Sequence, residues 1–266
     1  MTHARALAVL LLSLLLVTAC GGTDQGSNTD PDLVDAVAMP QNGLCRVLAP
    51  EDVAMPANAT EAVDCKQKHT AETFAAGELP AEYEDAEYDD ADLGRYAYQI
   101  CSTEFARFVG ADESLVLRTT LSWAWFRPSE KAWEKGARWY RCDVIGGSAT
   151  STSYLPLPET AKGLLAGRPN DKWLSCARGT SVAAGEKVPC SQKHDWRAVT
   201  TVKIGEPEDV YPSDRVMESR TRAFCATSVK AWLNYPTEFE YGFTFFHEAE
   251  WRAGIRRSVC WAKTSE

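Results

Sequence analysis

Trp133-Glu-Lys-Gly-Ala-Arg-Trp-Tyr-Arg-Cys142 is answered near the end of the chain by Trp251-Arg-Ala-Gly-Ile-Arg-Arg-Ser-Val-Cys260. Both stretches read W-x-x-G-x-R-x-x-x-C. Upstream, Cys65-Lys-Gln-Lys-His69 is answered in the same way by Cys190-Ser-Gln-Lys-His194. Two motifs in the same order, with matching internal spacing, indicate a duplication. A repeat period above a hundred residues means duplicated domains and not a solenoid of short units.

Working outward, composition sets the boundaries. Residues 20–41 are rich in Gly, Asp, Asn and Pro and read as a flexible tether. The first repeat covers residues 42–145. Gly146-Gly147-Ser148-Ala149-Thr150-Ser151-Thr152-Ser153, with Pro156 and Pro158 beyond, opens a linker over 146–170, and the second repeat covers 171–266. Each half shows the same run of elements: a short strand with the first Cys (44–48; 173–177), then a strand after the Cys-x-x-x-His segment. A helix follows, with Tyr98, Cys101, Phe105 and Phe108 on one stripe and Met217, Phe224, Cys225, Val229 and Trp232 on the other. Asp89, Asp90 and Asp92, and Ser213 with Asp214, are the N-capping candidates. An aromatic strand (Leu121, Trp123, Trp125; Phe243, Phe245) and a last strand with the fourth Cys complete each half. The expected fold class is α+β: two tandem small domains, each a mostly antiparallel sheet with one packed helix and two disulfides.

The N-terminus supplies an address. Arg5 precedes an apolar run from Ala6 to Val17, too short for a membrane span and fitting a signal-peptide core. It ends in Leu16-Val17-Thr18-Ala19-Cys20, which resembles the bacterial lipobox. The resemblance implies cleavage after residue 19 and a diacylglyceryl anchor, usually with an added N-acyl chain, on Cys20. The expected location is the outer face of the cytoplasmic membrane, held by lipid. Loss of residues 1–19 leaves 27 basic against 37 acidic residues, a net charge near −10. That balance argues against nucleic acid as a partner and against a basic face on anionic lipid.

Apart from Cys20, eight cysteines remain: Cys45, Cys65, Cys101, Cys142, Cys176, Cys190, Cys225 and Cys260. An even count in an oxidising compartment reads as a disulfide framework, four in each half. Neighbouring strands bring the first two of each half together, and the sheet-facing helix stripe brings the third to the last strand. The expected bridges are Cys45–Cys65, Cys101–Cys142, Cys176–Cys190 and Cys225–Cys260, each contributing on the order of 3–4 kcal/mol.

These residues resemble the septum-formation domain of secreted and membrane proteins of actinobacteria. Its features fall on Cys45, Cys65 with His69, Cys101, and Trp133 through Cys142. Phe108-Val109-Gly110 and Phe126-Arg127-Pro128-Ser129 also look typical of it. The second repeat keeps the four cysteines, Gln192-Lys193-His194 and the closing motif but has no counterpart of Arg127-Pro128, so the resemblance does not imply a ligand surface shared by both halves. The resemblance implies a cell-envelope protein linked by name to cell division. It brings no reaction, cofactor or catalytic residue.

The constellations weigh against catalysis. Beyond the signal peptide there are three histidines, His69, His194 and His247, and neither Gly-x-Ser-x-Gly nor His-Glu-x-x-His occurs. The disulfide framework leaves no spare thiol. Cys-x-x-x-His could bind zinc, but a bridged Cys cannot be a thiolate ligand, and a His capping a turn fits better. The expectation is no enzyme, no metal and no cofactor. The nine Trp could stack on cell-wall glycan, although alternation at period two is the ordinary mark of a buried strand face. Glu78 to Asp92 carries eight carboxylates without calcium-loop spacing and reads as a solvated loop. His69, His194, Trp125, Arg127, Trp133 and Arg138 are the candidate contact residues. The expected role is a non-catalytic interaction or scaffold module for an envelope protein, with cell-wall glycan binding or an unadvertised envelope enzyme as alternatives.

Overall fold

A computed structural model describes residues 29–148 and 150–264; the signal peptide and Cys20 lie outside the described residues. The first half runs β1 (Cys45–Arg46), α1 (Pro50–Val53), β2 (Ala71–Glu78), a 3-10 turn (Ala81–Tyr83), α2 (Ala91–Val109), α3 (Glu113–Val116), β3 (Ser122–Phe126), α4 (Glu130–Glu134) and β4 (Trp139–Ile145). The second runs β5 (Ser175–Arg178), β6 (Glu186–Pro189), β7 (Trp196–Lys203), α5 (Asp214–Trp232), β8 (Tyr241–Thr244), α6 (Glu248–Ala253) and β9 (Arg257–Lys263). The sheets are antiparallel, ordered β1-β2-β4-β3 and β6-β5-β7-β9-β8. The fold is α+β in both halves.

Register shows the duplication directly. Trp125 lies opposite Cys142, and Phe243 opposite Cys260. The long strands β2 and β7 each carry one bulge, between Thr73 and Ala75 and between Ala198 and Thr200. That extra residue, Phe74 or Val199, is turned into the core under the helix. Disulfides join Cys101 to Cys142 and Cys225 to Cys260, from the long helix to the last strand. The other two join Cys45 to Cys65 and Cys176 to Cys190. This is the expected pairing, but Cys65 and Cys190 lie in turns and not on strands, because the chain must reverse before β2 and β7 begin.

The helix stripes differ from the sequence reading by a fraction of a turn. In α2 the buried residues are Leu93, Ala97, Cys101, Phe105 and Val109; in α5 they are Met217, Thr221, Cys225 and Val229. Each set runs in steps of four through the disulfide cysteine, which fixes the inward face. Bulk had favoured Phe224 and Trp232, yet they are 39% and 49% exposed. Thr221 takes the inward place because its hydroxyl donates to Ser258 Oγ at 3.0 Å. Asp90 caps α2 by accepting from the Asp92 amide, and Gly110 ends it in the left-handed region. Ser213 holds the corresponding place before α5 but makes no side-chain cap bond.

Residues 146–170, read from composition as a linker, are built into the core. Leu157, Ala161 and Leu165 pack with Phe105, Val109 and Leu121 of the first half and with Trp173 of the second. The Leu155, Leu157 and Leu165 amides donate to the carbonyls of Gly146, His69 and Val109. Glu72, buried on β2, accepts from Thr160 Oγ1 and the Ala161 amide at 2.9 and 2.7 Å. Gly146 is required here, since a Cβ would lie 2.0 Å from the Leu155 carbonyl oxygen. Direct contacts also join the halves: Thr120 N to Trp173 O, Ser175 N to Arg118 O, and Arg257 Nε to Glu113 Oε2 at 2.6 Å. Part of the expected tether is likewise docked. Thr29 bridges Thr60, and Asp35 accepts from Ser129 Oγ at 2.7 Å. Composition reports local flexibility and is blind to such distant partners.

Candidate functional site

The closing motif forms a clasp, the same in both halves. Gly136 (φ 92°) and Gly254 (φ 112°) end the short helices in the left-handed region, turning the chain so that the Arg two residues on folds back over the Trp. The Arg138 guanidinium sits 4.0 Å above the Trp133 ring, and Arg256 sits 3.8 Å above Trp251. Arg138 donates to the Glu84, Trp133 and Ala137 carbonyls; Arg256 donates to those of Glu206, Pro207, Trp251 and Ile255. The indoles donate to Ala86 O and Asp209 O. The clasp therefore ties down the loop that leads into each long helix, including the acidic stretch before α2. Trp133 and Arg138, read as possible contact residues, have their polar groups spent on this internal work.

The Cys-x-x-x-His histidines are also matched. His69 and His194 are buried, and each Nδ1 lies 2.8 Å from the carbonyl two residues earlier, Gln67 or Gln192. A carbonyl partner places the proton on Nδ1. Both Nε2 atoms are enclosed without a partner among the described residues. Cys65 and Cys190 are bridged, so neither motif offers a thiolate. The two imidazoles hold turns ahead of the long strands.

Trp125 and Arg127 are the pair the structure brings together. Arg127 leaves the end of β3, its amide donating to Pro56 O at 2.9 Å, and buried Pro128 fixes the chain direction behind it. Its guanidinium lies 4.2 Å above Tyr88 and 5.7 Å from the Trp125 ring. Tyr88 is itself held edge-on against Trp133. The clasp thus positions Tyr88, and Tyr88 positions Arg127.

This arginine lines a cleft of about 170 Å³ between the docked segment at 29–34, the loop at 55–60 and the start of α4. Among the described residues no carboxylate pairs with Arg127, and its Nε is enclosed without an acceptor, as is Trp139 Nε1 in the same cleft. A buried donor left unmade costs on the order of 1–3 kcal/mol, so two in one cleft mark it out. Asp35 stands beside it, its carboxyl held below the ordinary range chiefly by the Ser129 hydroxyl bond. Tyr88 and Trp139 were not among the candidate contact residues. The clasp Trp of the repeat could have pointed to Tyr88, but nothing local marks Trp139.

The second half presents a different edge. Register places Phe245 where Arg127 stands, and His247 where Ser129 stands. Tyr211, edge-on to Trp251 as Tyr88 is to Trp133, donates to Asp214, which also lies 3.0 Å from His247 Nδ1. The Asp214 carboxyl is held low, first by the Tyr211 bond and then by His247. The expected stacking surface is mostly core: six of nine Trp are buried, Trp123 and Trp125 are half-buried, and Trp232 alone lies at the surface.

A family model described as septum formation matches residues 14–126 and 42–260, the longer match spanning most of the chain. The chain belongs to the septum-formation family. The two matched regions overlap and take in both repeats. No curated protein and no solved structure matches the chain. The family is linked to cell division at the envelope, and the four disulfides accord with an oxidising compartment.

Proposed function

We propose that this septum-formation protein is an exported lipoprotein, acylated on Cys20 and held on the outer face of the cytoplasmic membrane, where it acts as a non-catalytic interaction module. The observation that carries the reading is the division of labour among its polar groups. The paired motifs, W-x-x-G-x-R and Cys-x-x-x-His, serve the frame in both halves, while one cleft in one half keeps aromatic-held donors unspent. That is the arrangement of a rigid scaffold presenting a contact site. The lipobox at Leu16–Cys20 supports the anchor, and among the described residues no helix is long and apolar enough to cross a membrane. One diacylglyceryl group with an added acyl chain suffices for stable anchoring without help from the protein surface.

The test is fractionation with cross-linking in a native host. Wild type is expected in the membrane fraction, with envelope proteins of the division site among its cross-linked neighbours. Cys20→Ala should release it or leave an unprocessed precursor. Unchanged detergent-phase partitioning of the variant would refute the lipid anchor, and a uniform distribution without division-site neighbours would refute the scaffold role.

A further inference from the structure

We infer that the Arg127 cleft is a binding site for a small zwitterion, a free amino acid or dipeptide, with the ligand carboxylate on Arg127 and its ammonium facing Asp52 and Glu130. The inference rests on the interaction-module reading and gives that site its ligand class.

Arg127 supplies the carboxylate half. Its guanidinium is fixed between Tyr88 at 4.2 Å and Trp125 at 5.7 Å, so little rotamer freedom remains to be lost on binding. The fork of N–H donors matches a planar carboxylate, and its Nε is enclosed without an acceptor among the described residues. Trp139, 6% exposed, lines the same cleft with its Nε1–H unpaired and offers a second donor.

Charge then selects among oxyanions. Two carboxylates, Asp52 and Glu130, line the cleft with the single Arg127 cation. Asp52 already accepts from the Ala49 amide through Oδ2, while Glu130 is exposed at the rim. A phosphate would meet both carboxylates with more negative charge than Arg127 offsets. A ligand that brings its own ammonium converts the same two groups into partners. Leu33, Val34, Met55 and Pro56 form an apolar wall suited to a small aliphatic side chain. At about 170 Å³ the space suits a small molecule and not a folded chain.

The experiment is calorimetric titration of the full oxidised chain in mild detergent. The probes are alanine, leucine, alanyl-alanine and leucyl-leucine, each against its C-terminal amide and N-acetyl derivative, with acetate and inorganic phosphate alongside. At least one free form is expected to saturate the protein, with both blocked derivatives at least tenfold weaker. Arg127→Gln should weaken that probe at least tenfold, with the ligand-free variant still folded by circular dichroism. Trp139→Phe, which keeps an aromatic ring and loses the N–H, should weaken it several-fold. Phosphate binding more tightly than every zwitterion, full affinity in Arg127→Gln, or no binding by any probe would each overturn the assignment. If the panel fails while fractionation and cross-linking succeed, the ligand class is wrong and the scaffold reading stands. If fractionation fails while a zwitterion binds, the reverse holds.

Discussion

The two halves share a frame and differ on the faces that the frame leaves free. On the helix side of each sheet, the clasp, the bulge and the helix-to-strand disulfide recur position by position. On the far side they part. The first half buries Arg46, Arg141 and Asp143 there, with Thr73 donating to Asp143 and accepting from Arg46. Arg141 pairs with Asp143 at 3.1 Å, donates to Asn58 and lies 4.4 Å from the Phe126 ring. The second half fills the same side with Ala177, Val182, Trp196, Ala198 and Trp261. One duplicated sheet has therefore been closed in two ways, by ions and by aromatics. The difference teaches that the motifs visible as a repeat are those of the frame, while individuality lies in residues between them.

The largest expected effect would come from breaking the ionic face. Asp143→Ala leaves two buried guanidinium groups facing one another without their carboxylate, and should cost about 3–5 kcal/mol. Burial holds Arg141 down to about 10, with Asp143 opposing that shift. Replacing Arg141 and Asp143 together by Met and Leu should recover most of the loss, since an apolar face already serves the second half. A double variant as unstable as Asp143→Ala, by denaturant unfolding, would show that the two closures are not interchangeable.

Next come the disulfides, which sharpen the equivalence of the halves. Cys101–Cys142 and Cys225–Cys260 span 41 and 35 residues, so the chain-entropy estimate gives about 4 kcal/mol for each. Paired Ala substitutions should destabilise by similar amounts in either half. A large loss in one and none in the other would break the correspondence.

The clasp predicts a graded result. Arg256 is buried and donates to four carbonyls; Arg138 is half-buried and donates to three. Arg256→Ala should cost about 2–3 kcal/mol and Arg138→Ala about 1–2 kcal/mol. Thermal unfolding of the two variants decides the order. Gly254→Ala should also cost more than Gly136→Ala. Both put an L residue in the left-handed region, but only at Gly254 would a Cβ strike the other half, 2.6 Å from the Tyr98 ring.

The smallest effect concerns two surface carboxylates, each set against the residue that precedes a short helix. Asp35 is lowered by Ser129, and Asp214 by Tyr211 and then His247. A depressed carboxyl contributes stability that is present above its unfolded value and is lost as pH falls through its folded one. Ser129→Ala should raise Asp35 toward the ordinary range, whereas His247→Ala should leave Asp214 low because the Tyr211 bond persists. Carboxyl carbon shifts followed through an acid titration would show which bond dominates.

Much of the frame was legible because repetition amplifies weak signals. A single Cys-x-x-x-His is ambiguous, but two at matching places, with bridged cysteines, point to turn geometry. The disulfide pairing followed from element order even though Cys65 and Cys190 fall in turns. What local pattern could not carry was any role depending on a distant partner. Thr221 was passed over because its burial depends on Ser258, and residues 146–170 looked loose because their partners lie on β2 and α2. Arg127 stood out by its absence from the second half, while Trp139 gave no sign of its unpaired donor.

Hydrogen exchange on the full oxidised chain tests most directly whether the duplicated halves are fused through an ordered connection. The Leu155, Leu157 and Leu165 amides donate to Gly146, His69 and Val109. If residues 146–170 belong to the core, these amides should be protected to within about tenfold of those in β4, and should open together with it. Exchange of all three at the rate of an unstructured chain, with β4 and β9 still protected, would contradict the account and restore two domains on a loose linker.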